Sequence, residues 1–146
     1  MMFQLPLPPN ALSPNGRFQW YDKSKAMKVS HLEVEAFAKT IPALEILEFK
    51  NGLGPAPKLI MEVDAYPAVP GFLQKKPIEL CCPGDDDNGA AACKGYRDAI
   101  AKLIGIDDKH IRTLWTKHEN PKRAMTKAKG FHVPVSGCVV IELRRA

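Results

Sequence analysis

Long apolar runs are missing from this sequence. The longest uncharged apolar stretch, residues 133–141, stops at nine residues, whereas a helix that spans a bilayer needs about 20. Cysteine is scarce: the four residues at 81, 82, 93 and 138 build neither a dense disulfide framework nor a paired zinc-knuckle spacing. Free, mostly buried thiols are expected. His110, His118 and His132 could in principle join a cysteine in a zinc site, but none is in HxxxH or CxxC register. Residues 1–16 contain no basic residue and carry Pro6, Pro8, Pro9 and Pro14, unlike the basic-then-apolar plan of a secretory signal, so a cytoplasmic location is expected. No serine or cysteine stands beside a base to suggest a covalent nucleophile. Internal repeats, low-complexity tracts and linkers are absent as well, and the expectation is a single domain over residues 1–146 with one core.

What is present is segregated charge. The formal net charge is +5, yet residues 109–146 hold nine basic and two acidic residues while residues 1–108 hold twelve basic and fourteen acidic. A second basic group, Arg17, Lys23, Lys25 and Lys28, has Trp20 and Tyr21 among its members. Basic clusters with aromatic neighbours suit a polyanion, because each cation that replaces a condensed counterion on a phosphate gains free energy by ion release. Trp20 and Tyr21 also suit stacking on bases. Against this background, carboxylates are concentrated in Asp85-Asp86-Asp87 and Asp107-Asp108. Adjacent like charges repel unless solvent or a cation separates them, and hard divalent cations prefer oxygen ligands. The first stretch is not an EF-hand loop, since Gly89 falls at the fifth position and Tyr96 at the twelfth.

Periodicity predicts the order strand, helix, strand, helix, strand, strand, an α+β fold with two main helices on a mixed sheet in two layers. A first strand over residues 3–7 should end at Pro8-Pro9, followed by a turn-rich basic loop to residue 27. Ser30 and Glu33 have capping-box spacing, so a helix should begin near His31 and be kinked or divided by Pro42. Residues 59–66 read as a second strand, and residues 67–83 as a proline-rich loop with at most a short strand near 78–82. Asp87 or Asn88 should cap a second helix that ends at Gly105. Residues 110–118 and 135–143 read as strands of a terminal hairpin, whose long connection presents Lys122, Arg123, Lys127 and Lys129. Trp115, in the first of these strands, reads as core, and His110 as a strand-end residue of no special role.

In this order and spacing the sequence resembles the RusA family of Holliday-junction resolvases, small endonucleases of phages, prophages and some bacteria. The resemblance covers most of the chain. It rests on Leu5-Pro6-Leu7-Pro8-Pro9-Asn10 before a basic loop, Asp85-Asp86-Asp87-Asn88 opening a helix, Lys94 within that helix, and Asp107-Asp108 after it. It implies a RusA-like fold and a Mg²⁺-dependent nuclease, with Mn²⁺ as a substitute, that binds four-way DNA junctions as a homodimer and makes paired symmetric nicks in recombination or repair. Asp85, Asp87 and Asp108 match the family's metal ligands, Lys94 matches its helix lysine, and Asp86 and Asp107 are only their neighbours. No nucleotide cofactor is implied. Residues 78–84 replace an arginine-rich run of the best-studied member, and Lys94 lies about one helical turn further from Asn88 than there. The competing expectation is a junction-binding protein of the same fold without cleavage.

The chemistry stands apart from the resemblance. Phosphodiester hydrolysis near neutral pH needs an activated water and a counterweight to developing charge, and Mg²⁺ held by carboxylates supplies both. One geometric obstacle is visible: a straight helix of about 15 residues is about 22 Å long at 1.5 Å per residue, too long for both acidic stretches to share one ion. Either that helix starts late or breaks near Gly95, or Asp108 meets Asp85 and Asp87 of a second subunit.

Overall fold

The computed structural model describes residues 1–14, 18–69, 79–119, 127–128 and 130–146. Strand β1 (Met2–Leu5) ends two residues before the expected point, because Pro6 has no N–H with which to continue a ladder. Pro9 then bridges Leu80, with Asn10 N donating to Glu79 O at 2.8 Å and Cys81 N to Pro8 O at 2.9 Å. The short strand expected near residues 78–82 is therefore this single bridge. A 3₁₀ turn (Asn10–Leu12) follows.

Helix α1 (Trp20–Ala38) begins well before the expected start near His31. Ala26, Ser30, Val34 and Ala38 are buried at four-residue spacing, so the apolar stripe runs straight through the supposed cap. Ser30 is no cap: its Oγ donates to Ala26 O at 3.0 Å, a bond within the helix. Lys23 and Lys25 consequently stand on a helix instead of in the expected loop, and Lys28 follows on the same helix. Pro42 divides the helical region as expected, becoming the N-cap of α2 (Ala43–Asn51). Strand β2 (Leu59–Tyr66) occupies its expected span.

The single helix expected before Gly105 is two, α3 (Asp86–Ala92) and α4 (Lys94–Ile104). The helix breaks at Cys93, whose ψ is 6° although its N–H still donates to Gly89 O at 3.2 Å and its carbonyl still accepts from Arg97 N at 3.0 Å, and each half finds its own partner. Gly89 of α3 lies against the Trp115 indole, while Gly95 of α4 lies so near α1 that a Cβ there would stand 2.5 Å from Ser30 Cβ. Gly105 ends α4 with φ +74°, the left-handed cap that glycine adopts without strain.

Strands β3 (Ile111–Lys117) and β6 (Cys138–Arg145) flank a short pair, β4 (Lys127–Ala128) and β5 (Phe131–His132). The expected terminal hairpin is not formed. The sheet order is β1-β6-β2-β3, with β6 antiparallel to both β1 and β2 and β3 parallel to β2. Cys138 through Ile141 of β6 are buried without interruption, so both faces of the sheet are covered there, while the edge strand β3 carries exposed Arg112 and Thr116. The fold is α+β, with a mixed four-stranded sheet and four described helices. The main core joins Phe3, Met61, Val63 and Ile141 of the sheet to Val34, Cys93, Tyr96 and Ile100 of the helices. A smaller cluster of Val133, Cys138 and Val140 covers part of the other sheet face. No described helix is long and apolar enough to cross a membrane.

Candidate active site and nucleic-acid interface

The first acidic stretch is fixed by local chemistry. Asp85 is the N-cap of α3: its Oδ1 accepts a hydrogen bond from Asp87 N at 2.8 Å, and its carbonyl accepts from Gly89 N at 2.9 Å. Asp86 and Asp87 follow in the first turn, where negative charge meets the positive end of the helix dipole. All three side chains face solvent. Trp115 holds the segment from two sides, with its ring under Gly89 and its Nε1–H donating to Pro83 O at 3.0 Å. Position here is set by β3, the strand beneath.

The second acidic stretch opens a 3₁₀ turn (Asp108–His110) that leads into β3. Asp107 caps it, accepting from Lys109 N at 3.0 Å and facing Lys109 Nζ at 3.3 Å. The backbone N–H of Lys109, then its side chain, hold the Asp107 carboxyl below the usual carboxylate range. Asp108 turns back onto α4, where its Oδ2 accepts from Arg97 Nη2 at 3.2 Å. Its neighbour there is Asp98, whose pKa is raised by burial first, then by hydrogen bonding to Asp108 and by that carboxylate's charge, with Lys94 and Arg97 pulling the other way. Asp98 Oδ1 and Arg97 Nε are buried without a hydrogen-bond partner.

The fold thus groups Lys94, Arg97, Asp98 and Asp108, and leaves Asp85 and Asp87 at the start of α3. The helix is broken at Cys93, yet Asp108 reaches back only as far as Arg97 and Asp98 of α4. Among the described residues, no three His, Cys, Asp or Glu side chains converge closely enough to hold a metal ion. The donor type suits a hard cation such as Mg²⁺. A single chain, as described, does not gather Asp85, Asp87 and Asp108 into the cage.

Two polar features escaped the sequence reading. Asp98 lay inside an amphipathic helix, and the signal was its place beside Arg97 one face away from Ala99 and Ile100. Asp64 lies in β2 with a side chain only 9% exposed, its Oδ1 2.7 Å from His118 Nε2. Tyr66 stacks on the His118 ring with centroids 4.9 Å apart. The signal for Asp64 was an acid within an otherwise buried strand. On the same face Glu62 stands opposite Glu142, and Arg144 Nε donates to Glu62 Oε2 at 3.4 Å.

Of the expected DNA contacts, Lys23, Lys25 and Lys28 are exposed on α1, beside Trp20 and Tyr21, which are 78% and 57% exposed. Arg17, Lys122, Arg123 and Lys129 lie outside the described residues. Lys127 is described by its backbone alone, which pairs with His132. All four cysteines are free thiols, with Cys93 and Cys138 buried. Burial, and then the charges of Cys82 and Glu79, push the Cys81 thiol up to about 12.

No family model matches the chain. It is similar to an uncharacterized protein of Xylella fastidiosa strain Temecula1, with 34% identity over 107 residues that cover 73% of this chain and 60% of that protein. The chain therefore spans less than two thirds of the length of the curated relative that it matches.

Proposed function

We propose that this chain is a Mg²⁺-dependent, structure-selective endodeoxyribonuclease of RusA type that cuts four-way DNA junctions with paired symmetric nicks as a homodimer. The supporting observation is the return of Asp108 onto α4, beside Asp98 and in the field of Lys94. That fold-back supports the reading, because Asp108 and Lys94 both act on Asp98. Mg²⁺, when bound, supplies an activated water and offsets charge on the phosphate. Asp108 on one side and Asp85 with Asp87 on the other would hold it, and a two-fold assembly offers a way to bring the two groups together. Lys94, exposed at the start of α4, would face the phosphate as a fixed positive charge. Arg97 orients Asp108. Lys23, Lys25 and Lys28 would grip the DNA backbone.

The second reading is a junction-binding protein without cleavage. The Asp108–Arg97 ion pair favours it, since a carboxylate already paired with a cation has less to give to a metal. The experiment is cleavage of a labelled four-way junction with Mg²⁺, beside a linear duplex of matching sequence and an Asp87→Asn variant. Paired nicks lost in the variant support the nuclease. Tight junction binding without nicks supports the second reading, and the absence of both binding and nicks overturns the two together.

A further inference from the structure

The first three turns of α1 carry a surface that the core does not explain. Trp20 and Tyr21 are the two large aromatics that this helix leaves in solvent, at 78% and 57% exposure. Burying either would remove a large apolar area from water, yet both project outward. Their rings meet edge to face, with centroids 6.2 Å apart and planes at 83°. That arrangement leaves aromatic surface open to a third flat group.

The surrounding charge selects the partner. Lys23, Lys25 and Lys28 are exposed, and Asp22 is the only acid between residues 20 and 32. Tyr21, Lys25, Lys28 and Leu32 recur at four- and three-residue spacing, which puts them in one stripe along the helix. The buried stripe of Ala26, Ser30 and Val34 faces the core. Next to the exposed stripe is a groove of about 500 Å³, lined by Met27, Lys28, His31, Leu32, Glu35 and Lys102. A cationic track ending in an aromatic pair matches a strand whose phosphates are negative and whose bases are free to stack. A duplex fits less well, because its bases are already stacked on each other.

We infer that Trp20 and Tyr21 form a stacking platform for unpaired DNA bases, and that Lys25 and Lys28, with Lys102 across the groove, follow the phosphates of the same strand. This rests on the reading of the chain as a DNA-binding protein and not on cleavage. At a branch point the platform would take bases that have left the duplex.

Intrinsic fluorescence tests it, because the two tryptophans differ: Trp20 is exposed and Trp115 is 4% exposed. Titrating the full chain with a twelve-residue oligothymidylate at low salt should quench the long-wavelength emission of Trp20 and spare that of Trp115. Trp20→Ala should weaken binding about 10-fold, the loss of one stacked base. Lys25→Ala with Lys28→Ala should reduce the slope of log affinity against log salt by about 1.4, at about 0.7 per phosphate contact on a single strand. The exposure of all three side chains means that these variants should keep the wild-type circular dichroism spectrum. Unquenched Trp20 emission, wild-type affinity in Trp20→Ala, or a duplex competing as well as the oligothymidylate would each overturn the platform. Junction cleavage by a protein that ignores oligothymidylate would overturn it and leave the nuclease standing. Quenching without cleavage would do the reverse.

Discussion

Replacing Gly89 with alanine puts a methyl group where the Trp115 indole already lies, closer than 3.0 Å to three ring atoms. The ring has little room to retreat, being 4% exposed and tied by Nε1–H to Pro83 O at 3.0 Å. Overpacking of this kind costs about 1–3 kcal/mol. A lost Trp115–Pro83 hydrogen bond adds about 1 kcal/mol. Alanine recovers about 1 kcal/mol over glycine through helix propensity. The net expectation is a destabilisation of about 2 kcal/mol, or a Tm lower by about 4–8 °C for a domain of this size. Thermal and urea unfolding followed by far-UV circular dichroism measure it. Gly84→Ala is the control, since nothing lies within 4 Å of a Cβ there, and it should melt near wild type. A Gly89→Ala protein that melts at or above the wild-type temperature would refute the claim that Trp115 fixes the height of α3 above the sheet. The functional corollary is that Gly89→Ala shifts Asp85 and Asp87, so any cleavage activity should fall before the protein unfolds.

Asp85→Ala removes the cap of α3 and should cost about 1 kcal/mol of stability, whereas Asp87→Asn keeps the backbone N–H that bonds Asp85 and should unfold close to wild type; equal losses in urea titrations would contradict the capping role. Asp98 binds its proton more tightly in the folded chain than in the unfolded one, so it favours folding at low pH and opposes it as pH rises through its folded pKa. Asp98→Asn should therefore gain about 0.5 kcal/mol at pH 7, in the range of exposed charge pairs, and lose that gain below the usual carboxylate range; a gain that persists at acid pH would rule out this cause. With its thiol near 12, Cys81 should be about one part in ten thousand thiolate at pH 8 and label with an aromatic disulfide reagent far more slowly in native protein than in urea. Fast native labelling would place Cys81 in a different environment.

The legible parts of the fold were those decided by short-range chemistry. Residues 59–66 alternate and end before Pro67, and Gly105 supplies a left-handed cap, so β2 and the end of α4 could be read directly. The start of α1 could not, because Ser30 and Glu33 imitate a cap while the choice between cap and interior rests with Ala26 and Val34 packing on β1 and α4. A break near Gly95 was one of the two ways offered to bring the acidic stretches together, and the helix does break at Cys93, but the cause was not legible: nothing in Ala90-Ala91-Ala92 interrupts a helix, while α3 and α4 dock separately at Gly89 and Gly95. Strand pairing was the largest error. Adjacency in sequence suggested a hairpin of β3 with β6, but β6 pairs with β1 and β2 instead, a long-range choice that the local pattern does not carry. Of the candidate site, the Asp85-Asp86-Asp87-Asn88 stretch was legible as the opening of a helix, but the cap is Asp85 instead of Asp87 or Asn88, because the Asp85 carboxylate reaches Asp87 N. Asp98 was overlooked because its meaning depends on a turn that folds back onto it.

Ile141 pairs with Phe3 on one side and Val63 on the other, and this double register constrains the order of assembly. A ribosome delivers β1 and β2 long before β6, so each waits with an unpaired edge that no earlier described strand of the main sheet fills on that side. The contacts that close the sheet span most of the chain's length, and such topologies fold slowly because loop-closure entropy is lost before those contacts form. The interval is a hazard, since open strand edges invite pairing with other chains. The apolar run of β6 ends up between β1 and β2 instead of at a margin of the sheet. Substitutions in residues 138–143 should accordingly lower the yield of soluble protein more than their effect on the stability of the finished fold would suggest.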